Sequence, residues 1–233
     1  MVDDGHAAKK AKGFDGGDKV AILDAGAQYG KVIDRRVREL NIECDLLPLD
    51  VDPALLKPYK ASVYGADAPK YDKGIFELGK PIFGICYGMQ LLNHHFGGKV
   101  EKKARREDGQ FPITVVTECA LFADVPAGTE VLLTHGDSVS SVPEGFSEVA
   151  HSGELIVGIA DASRHLYGVQ FHPEVDLSTD GKQMMKNFLF GICGLQANFT
   201  VVNREHMAIA EINEIVGPVK KVLVLVSGGV DSS

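Results

Sequence analysis

The chain has 233 residues, a formal net charge of −8, and 45% hydrophobic residues with no tryptophan. That length suits one α/β domain plus part of another, at ~100–200 residues per domain. The acidic balance, without a basic stripe, argues against nucleic acid as a partner. No apolar run approaches the ~18–20 residues of a membrane span, and the N-terminus has no apolar signal region. Four cysteines (Cys44, Cys86, Cys119 and Cys193) lie far apart, with no metal-ligand spacing. Reduced thiols in a soluble, cytoplasmic protein are expected, with neither membrane nor nucleic acid as partner.

Residues 1–18 are polar and lack periodicity, and read as a disordered tail. Lys19 to Asp24 forms a first strand. A helix follows with Ile33, Val37 and Leu40 on one face, then a second strand at about Ile42 to Leu49. This β-α-β opening predicts a doubly wound, mostly parallel sheet with flanking helices, in which ligands bind beyond the strand C-termini. Asp24-Ala25-Gly26 then lies at the ligand edge. The next strand, Lys60 to Tyr64, is only a stub, and a helical stretch from Lys73 to Leu78 leads into Pro81 to Ile85.

The apolar run Pro81-Ile-Phe-Gly-Ile85 is a buried parallel strand. Gly84-Ile85-Cys86-Tyr87-Gly88 follows as a Gly-x-nucleophile-x-Gly turn into a helix that reaches Gly97-Gly98. Such a turn holds Cys86 in strained geometry at a helix N-terminus, which favours the thiolate. A lone cysteine after a core strand is otherwise a small buried hydrophobe. The flanking glycines and the polar clusters downstream decide for chemistry.

Val100 to Gly109 is a charged run and reads as a solvated loop. Short strands follow at Phe111–Val116, Glu130–Thr134, Ser147–Ala150, Leu155–Ile159 and Leu166–Phe171, an added antiparallel portion. Two loops between and after them carry Thr134-His135-Gly136-Asp137-Ser138 and Gln170-Phe171-His172-Pro173-Glu174. A nucleophilic cysteine needs a base, and the base an orienting acceptor. His172 and Glu174 supply both, on one side of an extended segment that Pro173 stiffens. A helix over about Gly181 to Ile192 closes a domain of residues 19–193. Residues 194–203 read as a linker, and residues 204–233 as the start of a second, truncated α/β domain. That second domain has a short helix (Ile209, Ile212 and Val216 on one face), a strand at Lys221–Val226, and a terminal Ser-Gly-Gly-Val-Asp-Ser-Ser loop.

The Gly84 to Gln90 turn together with Gln170 to Glu174 resembles the class I (triad) glutamine amidotransferases. Asp24 to Tyr29, Arg106 to Gly109, Thr134 to Asp137 and Ser227 to Ser232 narrow the resemblance to the GMP synthetase group of that family. The resemblance runs from about Val20 to the last residue. It implies that Cys86 attacks the side-chain amide of glutamine, assisted by His172 and Glu174, giving a glutamyl thioester, ammonia and then glutamate. Tyr87 matches an oxyanion donor, Gln90 a substrate-holding position, and His135 and Asp137 the active-site mouth. Ser227, Gly228, Gly229, Val230, Asp231 and Ser232 resemble the pyrophosphate loop of an ATP pyrophosphatase domain, whose backbone N–H groups would cradle phosphate. In the family that domain uses ATP and Mg to adenylylate XMP, and ammonia completes GMP. No cofactor is implied for residues 19–193 alone.

One departure stands out. The family carries a full strand ending in a Gly-Gly-Pro turn where Lys60 here runs straight into Ala61-Ser62-Val63-Tyr64. That turn donates the second oxyanion N–H, and its loss is expected to cost on the order of 10²–10³ in rate. Loss of the strand is expected to break the sheet. Ala61 to Tyr64 sliding in as a shortened strand, with Gly65 offering a replacement N–H, is one outcome. A damaged module that docks on a synthetase domain without hydrolysing glutamine is the alternative. A γ-glutamyl hydrolase or peptidase is disfavoured by the terminal loop, for which it has no use.

Overall fold

The computed structural model describes residues 19–24, 29–59, 61–65, 71–217, 221 and 223. Its first strand, β1 (Lys19–Asp24), sorts side chains by parity, as a pleated strand buried on both faces must. Val20 and Ile22 enter one buried cluster, and Ala21 and Leu23 another. Strand β4 (Ile82–Ile85) repeats the division, with Phe83 and Ile85 on the first side and Ile82 on the second. Helix α1 (Gly30–Glu39) covers the first side through Ile33 and Val37. Helix α2 (Tyr87–His95) covers the second through Met89 and Leu92. Two clusters separated by one sheet are the doubly wound arrangement that the strand–helix alternation predicts.

The remaining elements are β2 (Glu43–Pro48), β3 (Ala61–Gly65), β5 (Lys99–Pro112), β6 (Thr114–Val115), β7 (Glu130–Ser141), β8 (Ser147–Ser152), β9 (Leu155–Asp161), β10 (Leu166–Val169) and α3 (Gly181–Lys186). A π-helical turn (Asn187–Ile192) continues α3. The sheet order is β2-β1-β3-β4-β10-β9-β7-β5, with β8 pairing β9 and β6. Pairing is parallel from β2 to β10 and antiparallel beyond it. Residues 17–198 form one unit. Helix α4 (Val201–Val216) belongs to another, and Thr200 caps it by accepting the N–H of Asn203 at 3.3 Å.

Several expectations need correction. The sheet is not broken at the stub. β3 pairs with β1 from Val20↔Ala61 to Asp24↔Gly65, and with β4 from Ser62↔Ile82 to Tyr64↔Gly84. Five residues suffice because β1 has six and β4 only four. The charged run 100–109 is not a loop but most of β5, an edge strand whose open side tolerates charge. His135 to Ser138 likewise lie inside β7, its partner. The stretch from Lys73 is a 3₁₀ turn (Lys73–Glu77), capped by the Asp72 carboxylate, rather than a helix. Helix α4 begins at Val201, inside the expected linker, because Thr200 supplies an N-cap there. The tail 1–18, residues 25–28, most of the Lys221–Val226 strand and the Ser227–Ser232 loop lie outside the described residues.

Helix α3 sits hard against the segment that follows β10. A Cβ on Gly181 would come within 2.0 Å of the Pro173 carbonyl oxygen and 2.7 Å of its carbon. Backbone cannot yield as a side chain does, so Gly181→Ala should lower unfolding free energy by about 1–3 kcal/mol. Gly191→Ala, whose Cβ would meet nothing within 4 Å, should change it by less than about 0.5 kcal/mol. Urea titration of the two variants checks both.

Candidate active site

β4 delivers Cys86 to the C-terminal edge of the sheet. The Cys86 N–H donates to the Val169 carbonyl at 2.8 Å, extending the β4–β10 ladder by one bond. The chain then turns abruptly: Cys86 has φ 55° and ψ −109° and stands at the N-cap of α2. A non-glycine residue there costs on the order of 1–3 kcal/mol and persists only where its surroundings impose it. The imposing feature is close backbone packing. A Cβ on Gly84 would lie 2.5 Å from the Gly88 carbonyl oxygen and 2.8 Å from the Met89 nitrogen. The first turn of α2 therefore crosses directly over β4, and the residue between them must take the strain. Tyr87, which follows Cys86, is the first residue of α2, so its N–H stands at the helix N-terminus.

The second half of the site descends from β10. After Val169, Gln170 donates its N–H to the Val157 carbonyl at 2.9 Å, and His172 donates its own to Leu132 at 3.1 Å. The Ser178 hydroxyl donates to the His172 carbonyl at 2.6 Å and accepts from the Leu132 N–H at 3.0 Å. The His172 ring meets Tyr29 edge-on, with centroids 4.9 Å apart. Its Nδ1 lies 2.8 Å from Oε1 of Glu174, which is fully buried. The other Glu174 oxygen is buried without a partner among the described residues, so the imidazole is what compensates the carboxylate. The Arg36 Nε–H donates to the Glu174 carbonyl at 2.8 Å, tying the segment to α1, and Arg36 also pairs with Asp176.

Electrostatics follow from this packing. Burial works against an imidazolium at His172. Hydrogen bonds to Cys86 and Glu174, with the charges behind them, outweigh it and push His172 up to about 10. With Nδ1 engaged by Glu174, Nε2 is left to face the sulfur. The arrangement sets a cysteine sulfur beside an imidazole that a carboxylate orients, a pairing that can pass a proton to a leaving group.

Cys86, His172 and Glu174, singled out from sequence, are thus brought together. Gln90 joins them: its amide donates to the Asp137 carbonyl at 3.0 Å and to Gln170 Oε1 at 2.9 Å. His135 meets Asp137 through its main chain, Nδ1 to carbonyl at 2.9 Å. Sequence reasoning gave no role to Gln170, whose Nε2 lies 3.6 Å from the Cys86 sulfur. Its position two residues before His172, on the same side of an extended segment, was the available signal. Glu107, buried against His135, entered the sequence reading only as part of the Arg106–Gly109 motif and was given no role. The terminal phosphate-loop residues are outside the described residues.

The family profile of class-I glutamine amidotransferases matches residues 21–192, well over half of the chain. The glutamine-hydrolysing GMP synthase of Dictyostelium discoideum is 50% identical over 239 residues, covering 92% of this chain and 33% of that protein. The enzyme of the same description from Listeria innocua is 45% identical over 236 residues, covering 97% and 45%. The chain therefore spans between a third and a half of the length of these relatives. Among solved structures, a Thermoplasma acidophilum protein assigned as one subunit of a GMP synthase superposes with a TM-score of 0.70 at 28% identity, covering 83% of this chain and 98% of that one. A Thermotoga maritima glutamine amidotransferase superposes with a TM-score of 0.58 at 22% identity, covering 86% and 93%, and shares the fold. The chain belongs to the class-I glutamine amidotransferase family.

Proposed function

We propose that this chain hydrolyses glutamine with Cys86, His172 and Glu174, and that its ammonia serves the amination of XMP to GMP. The observation that carries the reading is Cys86 at a positive-φ turn, with an imidazole at His172 that a buried carboxylate holds at 2.8 Å. The Cys86 sulfur attacks the side-chain amide carbon of glutamine. The Tyr87 N–H stabilises the oxyanion. His172 gives its Nε2 proton to the departing nitrogen, leaving a glutamyl thioester and ammonia. Water then attacks the thioester as His172 takes its proton, and glutamate leaves with the thiol restored. Gln90, His135 and Asp137 border the space for the glutamine backbone. The domain division (residues 19–193, a linker at 194–203, and a second domain from 204) belongs to this reading.

Adenylylation of XMP with ATP and Mg is assigned to an ATP pyrophosphatase domain, of which Ser227 to Ser232 are the first phosphate-binding residues. The greater length of the GMP synthase relatives supports that partner. Cytosolic location is supported by the four free cysteines. Among the described residues no helix is long and apolar enough to cross a membrane.

The non-hydrolysing alternative rests on a lost strand and a lost oxyanion donor. β3 fills that place between β1 and β4, and Gly65 comes one residue after the Tyr64↔Gly84 pair, beside the elbow. Its N–H is the proposed second oxyanion donor. Gly65→Pro removes that hydrogen and should lower glutaminase turnover by on the order of 10²–10³. Unchanged turnover rejects the role.

A diazo-ketone analogue of glutamine tests the nucleophile. Stoichiometric labelling of Cys86, suppressed by glutamine and absent in Cys86→Ala, is expected, with His172→Ala labelled far more slowly. A folded chain that resists labelling refutes the assignment. The raised His172 pKa also makes a stability prediction. The folded chain holds this proton from the ordinary histidine range up to about 10, where the unfolded chain has released it. The stabilisation is therefore full below about 6.5 and is lost as pH rises toward 10. Thermal melts of the wild type should fall more steeply over that window than those of His172→Gln.

A further inference from the structure

Behind Gln90 lies a buried polar cluster around His135, in which the mechanism gives Glu107 and Ser152 no part. Glu107 and His135 are direct cross-strand partners on β5 and β7, at the end of an irregularity in register between Lys102 and Glu107. Each side chain is only 4% exposed, and His135 Nε2 lies 3.2 Å from Glu107 Oε2. The Ser152 hydroxyl on β8 donates to Glu107 Oε1 at 2.8 Å. The flanking Arg106 and Asp108 side chains, by contrast, are exposed and pair with each other. A carboxylate turned inward from an edge strand is costly unless paired, and an apolar residue would serve packing better.

The pair bears on Gln90. His135 Nδ1 faces the Asp137 carbonyl, an acceptor, so Nδ1 carries a hydrogen and donates. Ser138 Oγ lies 3.4 Å from the same nitrogen. The Asp137 carbonyl so fixed accepts one Gln90 amide hydrogen, and Gln170 Oε1 accepts a hydrogen from the same amide. Both acceptors orient that amide with its NH₂ toward them, which leaves Gln90 Oε1 as the end that can accept from a substrate ammonium. A flipped amide would present donors there and repel it.

We infer that Glu107 is a positioning residue for the glutamine site, setting the amide orientation of Gln90 through His135 and the Asp137 carbonyl. The inference rests on the amidotransferase reading above. Its test compares two electrophiles at Cys86 in the full chain, read by peptide mass mapping. A diazo-ketone glutamine analogue needs the amino-acid grip, whereas iodoacetamide needs only the sulfur. Glu107→Ala should slow the diazo-ketone by about tenfold or more, and change the iodoacetamide rate by less than about twofold. Glu107→Gln should restore the diazo-ketone rate to within about threefold. Its amide can donate to His135 Nε2 and still accept the Ser152 hydroxyl, so Nδ1–H remains on Asp137.

Equal loss of both rates in Glu107→Ala, or no loss, overturns the inference, as does a folded Glu107→Gln that restores nothing. If Glu107→Ala does not fold, Ser152→Ala decides. It should slow the diazo-ketone selectively by about threefold, and no selective loss overturns the proposal. A wild-type Cys86 that the diazo-ketone never labels, or labels without protection by glutamine, refutes the amidotransferase reading itself and this inference with it.

Discussion

The contact on which the site depends is backbone against backbone. Gly84 lies so close to the Gly88 carbonyl that no Cβ fits between them, and this closeness bends the chain at Cys86. The bend lifts Cys86 out of both β4 and α2 and leaves it at positive φ. Strain of this kind survives only in a rigid frame. The frame is the continuous parallel pairing of β1, β3, β4 and β10, with a buried cluster on each face.

A second scaffold mirrors the first. The segment after β10 has little regular structure, yet Leu132, Ser178 and Arg36 bond it from three directions. These bonds hold His172 and Glu174 where the imidazole can span carboxylate and sulfur. The buried Glu174 fixes the orientation of the ring, and burial strengthens the pairing that it would otherwise penalise. Cys86 and His172 therefore follow adjacent parallel strands, each fixed by main-chain contacts rather than by its own side chain.

The parts legible in the sequence are those whose causes are local. Gly84 and Gly88 flank Cys86 within five residues, and Pro173 joins His172 to Glu174, so elbow and base could be read directly. The α1 face of Ile33 and Val37 was equally plain. The β5 strand was hidden because an edge strand pairs through backbone and shows no apolar alternation. The short β3 was legible as a stub, but its sufficiency depends on the lengths of β1 and β4 beside it. Gln170 near Cys86 and Glu107 near His135 were beyond local reading, since the partners are 84 and 28 residues apart.

The central claim is that this elbow, supported by a five-residue β3, still makes a nucleophile that forms a thioester with glutamine. Incubating the chain with glutamine and hydroxylamine tests it most directly, because hydroxylamine intercepts the thioester before water does. The wild type should yield γ-glutamyl hydroxamate, and Cys86→Ala none. A chain shown by circular dichroism to be folded that yields no hydroxamate would contradict the claim.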